Sequence, residues 1–192
     1  MKIAIFGASG QGREVADICR EIGYEEIVFL VSDENEESPV SEKIFLDTKA
    51  TVLRLKDEGY EFSIGISSTL IRQKIYNNYP NLEYPNIVHP SSTFGYLQRT
   101  KFNQSKGNIV SAGVRFTNNI FIGNFGIYNL NATVSHDSII EDYVSIMSAV
   151  NISGNVHIHK GAYIGINAAI LQGDNEKNLL LAKTQLLEQG RL

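Results

Sequence analysis

The sequence predicts an α/β domain followed by a parallel β-helix, and two patterns carry that expectation. The first is a sixfold register. Stepping by six from Val110 gives Phe116, Ile122, Tyr128, Val134, Ile140, Ile146, Ile152, Ile158, Ile164 and Ile170, with Tyr128 the most hydrophilic. The residues two before each anchor are small or β-branched: Val114, Ile120, Gly126, Ala132, Ser138, Val144, Val150, Val156, Ala162 and Ala168. A helix would space its apolar residues by 3.6 and a plain strand by two. A period of six describes short strands bent at regular corners, with the anchors inside a prism. The second pattern is an N-terminal strand, glycine-rich turn and helix that read as a βαβ unit.

Taken in order, Lys2 to Phe6 is a short apolar strand that runs into Gly7-Ala8-Ser9-Gly10-Gln11-Gly12. Val15, Ala16, Ile18, Cys19 and Ile22 recur at helical spacing behind it, and Gly23 marks the helix end. Glu26 to Val31 reads as the second strand. Glycines in such a turn let backbone N–H groups approach a phosphate at the helix N-terminus. The spacing here is G-x-x-G-x-G, not the dinucleotide fingerprint G-x-G-x-x-G. The residues alone therefore leave two readings: a phosphate cradle, or a tight corner that binds nothing. Asp33 and Glu34 follow the second strand, where a doubly wound fold commonly sets a carboxylate on a ribose. They also open an acidic loop, Asp33 to Glu37, that reads equally well as solvated surface.

Phe62 to Ile66, with Gly65 near its end, is a further strand, and Thr69 to Asn77 a helix. Arg72 on that helix is expected in solvent, with a phosphate contact as the alternative. Pro80, Pro85 and Pro90 then interrupt regular structure. The domain boundary falls between Asn78 and Pro90, which divides the chain into a first domain over 1–84, a β-helix over 85–178 and a tail over 179–192. His89, before Pro90, is expected as a turn residue.

At 192 residues, 43% hydrophobic and 20% charged, the chain has the composition of a soluble globular protein. A net charge of −4 offers no basic face for phosphate neutralisation, so no nucleic-acid partner is expected. The single cysteine, Cys19, excludes an internal disulfide and a multi-cysteine metal site. On the apolar face of its helix it reads as a buried structural thiol. The N-terminal apolar run is too short for a signal peptide, and none approaches the roughly 20 residues of a membrane span. A cytoplasmic protein without a membrane partner is expected.

Chemistry on a prism must come from its corners, because a fold alone gives no function. Val134-Ser135-His136-Asp137 is the corner that offers it. His136 stands two residues after an inward anchor and should face outward. Imidazole takes protons near neutral pH, and a neighbouring carboxylate can orient the ring and stabilise its charged form. Adjacent His-Asp pairs also occur without catalysis, and the residues alone leave both readings open. His157 and His159 flank the inward Ile158. With no third ligand evident in the sequence they read as surface histidines, and no metal is expected.

The turn segment Gly-Ala-Ser-Gly-Gln-Gly-Arg-Glu-Val-Ala, joined to repeats carrying Asn-Ala-Thr-Val-Ser-His-Asp-Ser-Ile-Ile, resembles the bacterial hexapeptide-repeat acyltransferases. The likeness is to the sialic acid O-acetyltransferase type, which includes UDP-4-amino-sugar N-acetyltransferases, and it covers residues 1 to about 175. It implies a Rossmann-like first domain that binds a nucleotide-linked sugar, a left-handed β-helix, a homotrimer with active sites between adjacent prisms, and acetyl-CoA as donor. It further implies direct acyl transfer to the amine of a UDP-linked amino sugar, or to a sugar hydroxyl. In that scheme His136 is the general base with Asp137 beside it, and the Gly154 N–H meets the oxyanion. Such a preorganised donor is worth about 3 kcal/mol in the transition state. Gly165, Ile166 and Asn167 match the segment that runs, with Gly154, along the CoA arm. Gly7, Ser9, Gly10, Gly12 and Gly65 would hold the nucleotide-linked sugar, with Asp33 near its base or ribose. Gln11 departs from the histidine that many members carry in the turn, and Ser145 from a second active-site histidine in some.

Members of that group continue through further coils, whereas here the register stops after Ile170. A two-base shift in one synonymous coding of Leu179 to Leu192 spells Ile-Ile-Gly-Lys-Asn-Ala-Val-Ile-Gly-Ala-Gly-Ala-Val, two hexapeptide units. The tail therefore reads as a frameshifted terminal coil, with Leu179 to Gln189 expected as an amphipathic helix or a frayed end. The alternative function that follows is a catalytically impaired or non-catalytic trimeric scaffold that binds a sugar nucleotide. A nicotinamide oxidoreductase, which the glycine turn alone would allow, leaves the β-helix unexplained.

Overall fold

The computed structural model describes residues 1–33 and 42–173 and the backbone of 179–181. In the first domain β1 (Lys2–Phe6), α1 (Gly10–Glu21) and β2 (Glu26–Val31) form the expected βαβ unit. β3 (Lys43–Leu46), α2 (Lys49–Asp57), β4 (Glu61–Ile64) and α3 (Thr69–Asn78) complete it. β3 and α2 have no counterpart in the sequence expectations: β3 is four residues long and only partly buried, so its apolar signal is weak. All pairings are parallel, in the order β3-β2-β1-β4. The chain leaves β1 on one side for β2 and comes back on the other for β4. That reversal creates a switch point at the carboxyl ends of β1 and β4, the usual binding crevice of doubly wound sheets. Cys19 is fully buried under the sheet, and burial pushes its thiol up to about 12.

From Ile87 onward the strands shorten to two or three residues and stack in three parallel ladders. The first ladder is β5 (Ile87–Val88), β7 (Ile109–Val110), β10 (Ile127–Tyr128), β13 (Ser145–Ile146) and β16 (Tyr163–Ile164). The second is β6 (Thr93–Phe94), β8 (Arg115–Phe116), β11 (Thr133–Val134), β14 (Asn151–Ile152) and β17 (Ala169–Ile170). The third is β9 (Phe121–Ile122), β12 (Ile139–Ile140), β15 (Val156–Ile158) and β18 (Leu179–Leu181). A short helix, α4 (Gln98–Phe102), is inserted between β6 and β7.

Both registers seen in the sequence point inward. From Val110 through Ile164 the sixfold anchors are buried, as are Val114, Ile120, Ala132, Ser138, Val144, Val150, Val156 and Ala162 beside them. Gly126 is small for a packing reason: a Cβ there would stand 2.8 Å from the Tyr128 ring. Phe94, Phe102, Phe116 and Tyr128 stack at the start of the prism with ring centroids 4.9–5.9 Å apart. The corners repeat with the same period. Gly107, Gly113, Asn119, Phe125, Asn131, Asp137, Tyr143, Ala149, Asn155, Gly161 and Asn167 all have φ between 54° and 73°. Glycine and asparagine suit that left-handed region, and bulky residues there need support.

Arg72 supplies the support, and neither expectation for it holds. Instead of reaching solvent or a phosphate, it is 1% exposed between the two domains. Its guanidinium donates to the carbonyls of Phe125 (3.2 Å) and Tyr143 (2.8 Å), both left-handed corner residues. It also donates to Ile66 and Ser67 of its own domain and to Ser145 Oγ. Ser145 is thereby committed to the domain junction. The first ladder packs against the first domain as well, where Ile87, Ile109 and Ile127 join the core beneath α1.

The terminal segment departs from expectation where it is described. Leu179–Leu181 forms a strand, not a helix, and pairs in parallel with Val156–Ile158. Its register slips. Ile158 lies eighteen residues after its partner Ile140, but Leu181 lies twenty-three after Ile158. The rest of the tail, 182–192, and Glu34 to Glu37 of the acidic loop lie outside the described residues. Among the described residues no helix is long and apolar enough to cross a membrane.

Candidate active site

His136 sits at the corner between β11 and β12, half-exposed, as its position after Val134 requires. Asp137 turns the corner with φ 58°, and its Oδ2 lies 2.8 Å from His136 Nδ1. Asn119 occupies the equivalent corner one coil below, eighteen residues back, and its amide donates to Asp137 Oδ1 at 2.6 Å. Lys101 on α4 in turn donates to Asn119 Oδ1 at 2.9 Å. The Asn119 amide and then the His136 ring hold the Asp137 carboxyl below the usual carboxylate range. A carboxylate can only accept, so the hydrogen of this bond belongs to His136 Nδ1, and Nε2 has no hydrogen-bond partner among the described residues.

Gly154 occupies the corner one coil above. It is buried against the imidazole, and a Cβ at this position would fall 2.6 Å from Cε1 and 2.7 Å from Nε2 of His136. Only glycine lets this backbone approach the ring. Its carbonyl accepts from Gly173 N–H, whereas its own N–H meets no acceptor among the described residues. The corner thus brings together an imidazole nitrogen, a carboxylate behind it and a backbone donor unengaged among the described residues.

Asn119 and Lys101 are absent from the sequence reading. The signal for Asn119 was present, since three hexads make one coil and residue 119 must stack under 137. Nothing in the register points to Lys101, which arrives on the inserted helix.

Gly165, Ile166 and Asn167 lie elsewhere, at a corner between the first and second ladders. Ile166 is exposed, and a Cβ on Gly165 would meet nothing within 4 Å, so the backbone there is open to a ligand. One prism does not bring this edge to the His136 edge. His89 is a turn residue as expected: its Nδ1 accepts from Ser91 N–H (3.0 Å), and its Nε2 lies 3.2 Å from Glu21.

In the first domain the glycines divide by task. Gly7 adopts φ 95°, Gly12 leaves no room for a Cβ (2.0 Å from the Gly7 carbonyl oxygen), and a Cβ added to Gly65 would fall 2.6 Å from Gly12 Cα. All three glycines thus close the turn. Gly10 faces open space. Ser9 is the N-cap of α1 but its side chain makes no capping hydrogen bond. The first backbone N–H groups of α1 therefore point out of the switch point, where an anionic ligand is favoured. Gln11, partly exposed beside them, has an amide nitrogen without a partner among the described residues. Asp33 is exposed beyond β2.

Residues 2–79 match the PglD N-terminal domain family. The GDP-perosamine N-acetyltransferase of Escherichia coli O157:H7 is 30% identical over 184 residues, which cover 92% of this chain and 81% of that protein. The acetyltransferase domain of PglB from Neisseria gonorrhoeae, solved with acetyl coenzyme A, superposes with a TM-score of 0.75 at 27% identity, over 88% of this chain and 80% of that one. A perosamine N-acetyltransferase variant from Caulobacter crescentus, solved with CoA and GDP-perosamine, shares the fold (TM-score 0.77, 20% identity, 88% and 79% covered).

Proposed function

The chain belongs to the hexapeptide-repeat sugar N-acetyltransferases, acetyl-CoA-dependent enzymes with a left-handed β-helix, and from that membership we propose that His136 is the base that acetylates a nucleotide-linked amino sugar. The observation that carries this reading is the Asp137-held imidazole with its free Nε2 facing the Gly154 backbone. The acceptor nitrogen attacks the thioester carbon while Nε2 takes its proton. The Gly154 N–H receives the oxyanion. As the C–S bond breaks, the imidazolium returns the proton to sulfur, leaving an amide and a free thiol.

Ser9, Gly10 and the N-terminus of α1 would receive the diphosphate of the acceptor, with Gly7, Gly12 and Gly65 shaping the turn and Asp33 toward the ribose or base. Gly165, Ile166 and Asn167 would line the pantetheine arm. Because that corner and the His136 corner lie on different prism edges, the donor site closes only when a second copy brings its edge across. The exposed apolar side chains of Phe121, Ile166 and Leu171 also call for cover. Both features support a homotrimer. Nucleotide sugars and acetyl-CoA meet in the cytoplasm, where the proposal places the protein.

The test is free-thiol release from acetyl-CoA with GDP-perosamine, UDP-linked 4-amino sugars and sialic acid as acceptors. Release with a nucleotide-linked amine alone supports the proposal; release with sialic acid alone makes the enzyme an O-acetyltransferase. The slipped register at β18 favours a second reading, the impaired scaffold, which sugar-nucleotide binding without thiol release would establish.

Two variants probe the corner. Gly154→Ala forces the imidazole aside and is expected to lower kcat by about 10²-fold or more, the scale of losing one oxyanion donor, with the melting temperature nearly unchanged. Asn119→Ala removes the hydrogen bond that orients Asp137. A loss of about tenfold or more in kcat is expected, with the acidic limb of the pH–rate profile displaced. An unmoved pH profile would reduce Asn119 to a structural corner.

A further inference from the structure

Away from the His136 corner, the prism carries a second convergence of ligand-type side chains. It lies on the edge beside Tyr143 and Gly161, which approach α3 of the first domain. His157 and His159 are two residues apart at the end of β15, so both leave the same face of the strand. Their ring centroids are 4.3 Å apart. The third member comes from the coil below, where the Ile140–Ile158 pairing sets Glu141 beneath His159. Glu141 Oε1 lies 2.7 Å from His157 Nε2 and 3.3 Å from His159 Nδ1. Its Oε2 accepts the Lys160 N–H at 2.8 Å, which anchors the carboxylate. All three ligand atoms lie within 4.8 Å of one another.

The sequence suggested no metal because it showed only two histidines, and the fold supplies the missing ligand. We propose that Glu141, His157 and His159 bind one divalent transition-metal ion of the zinc class, stapling two successive coils. Two neutral imidazoles and a carboxylate carry a net charge of −1, and among the described residues no lysine or arginine side chain pairs with Glu141. Nitrogen-rich sets of this kind suit Zn²⁺ or Co²⁺, whereas Mg²⁺ and Ca²⁺ want all-oxygen cages. Bonds of about 2.0–2.2 Å place tetrahedral ligands about 3–4 Å apart, within small side-chain rotations of the arrangement seen. The side chains of His157, His159 and Glu141 are 21%, 36% and 35% exposed, so an ion can enter and water can complete its shell. The site stands apart from acyl transfer and does not depend on the function proposed above.

Chelator-stripped full-length protein is titrated with Co²⁺ at neutral pH, followed by the visible absorption of bound cobalt and then by displacement with Zn²⁺ or Mg²⁺. The expected result is one equivalent per chain, displaced by Zn²⁺ and not by Mg²⁺. Binding weakens at least about tenfold in Glu141→Gln and in His159→Ala. His136→Ala leaves the titration unchanged. Because the altered side chains are partly exposed, the variants should keep the wild-type circular dichroism, which is measured alongside. Absence of saturable binding, binding that survives both cluster variants, or loss of binding in His136→Ala would each overturn the proposal.

Discussion

Replacing His136 by alanine is expected to lower kcat for acetyl transfer by roughly 10²–10⁴-fold, the range a positioned general base contributes, while KM for acetyl-CoA changes little. The ring is half-exposed on the prism surface and supports no part of the core, so the variant should melt at the wild-type temperature. Asp137→Asn tests the same arrangement from behind. An amide at 137 can donate as well as accept, so it no longer holds the proton on Nδ1. That variant should fall between wild type and His136→Ala. Both are read by thiol release at saturating donor. Full activity in His136→Ala would end the general-base assignment, even if the family assignment stood.

Arg72→Met should cost more stability than any surface change. Methionine keeps the unbranched stem as far as the Nε position but donates nothing, leaving the buried carbonyls of Phe125 and Tyr143 and those of Ile66 and Ser67 without their partner. At about 1–3 kcal/mol for each unsatisfied buried group, a loss on the order of 4 kcal/mol or more is expected. For a chain of this size that is roughly a 10 °C fall in melting temperature. Among the described residues no carboxylate pairs with the guanidinium. Burial draws Arg72 down to about 10, so it remains charged at neutral pH and gives charge-assisted hydrogen bonds to carbonyls and to Ser145 Oγ. Arg72→Lys keeps the charge but cannot span both corner carbonyls and the Ser67 side at once, and should recover only part of the loss. Differential scanning calorimetry of the three proteins decides the matter. A melting point within a degree of wild type in Arg72→Met would mean that water satisfies the corner carbonyls and the junction is not held by this residue.

The β-helix was legible because its period is local. Each anchor repeats the same inward geometry, so a walk by six finds the core without knowledge of what packs on what. The stacking of coils is equally periodic, which is why residue 119 beneath 137 and residue 154 above 136 follow from adding or subtracting eighteen. The first βαβ unit was legible for a similar reason, since Lys2 to Phe6 and Glu26 to Val31 are continuous apolar runs around one amphipathic helix. β3 was not, because a short, half-buried edge strand differs little from a loop in composition.

The sequence by itself determined the two architectures, the inward and outward residues of the prism, and the exposure of His136 with Asp137 beside it. These rest on periodicity and chain adjacency, which are properties of neighbours along the backbone. Only the tertiary structure decided what long-range contacts decide. It turned Arg72 from a presumed surface cation into the bolt between domains and drew Ser145 into that junction. It also brought Lys101 to Asn119 from an inserted helix, and set Glu141 beneath His157 and His159. In each case the deciding atom belongs to a residue whose partner is distant in sequence. A buried charge or a shared carboxylate is recognised only by what surrounds it, and composition does not record surroundings.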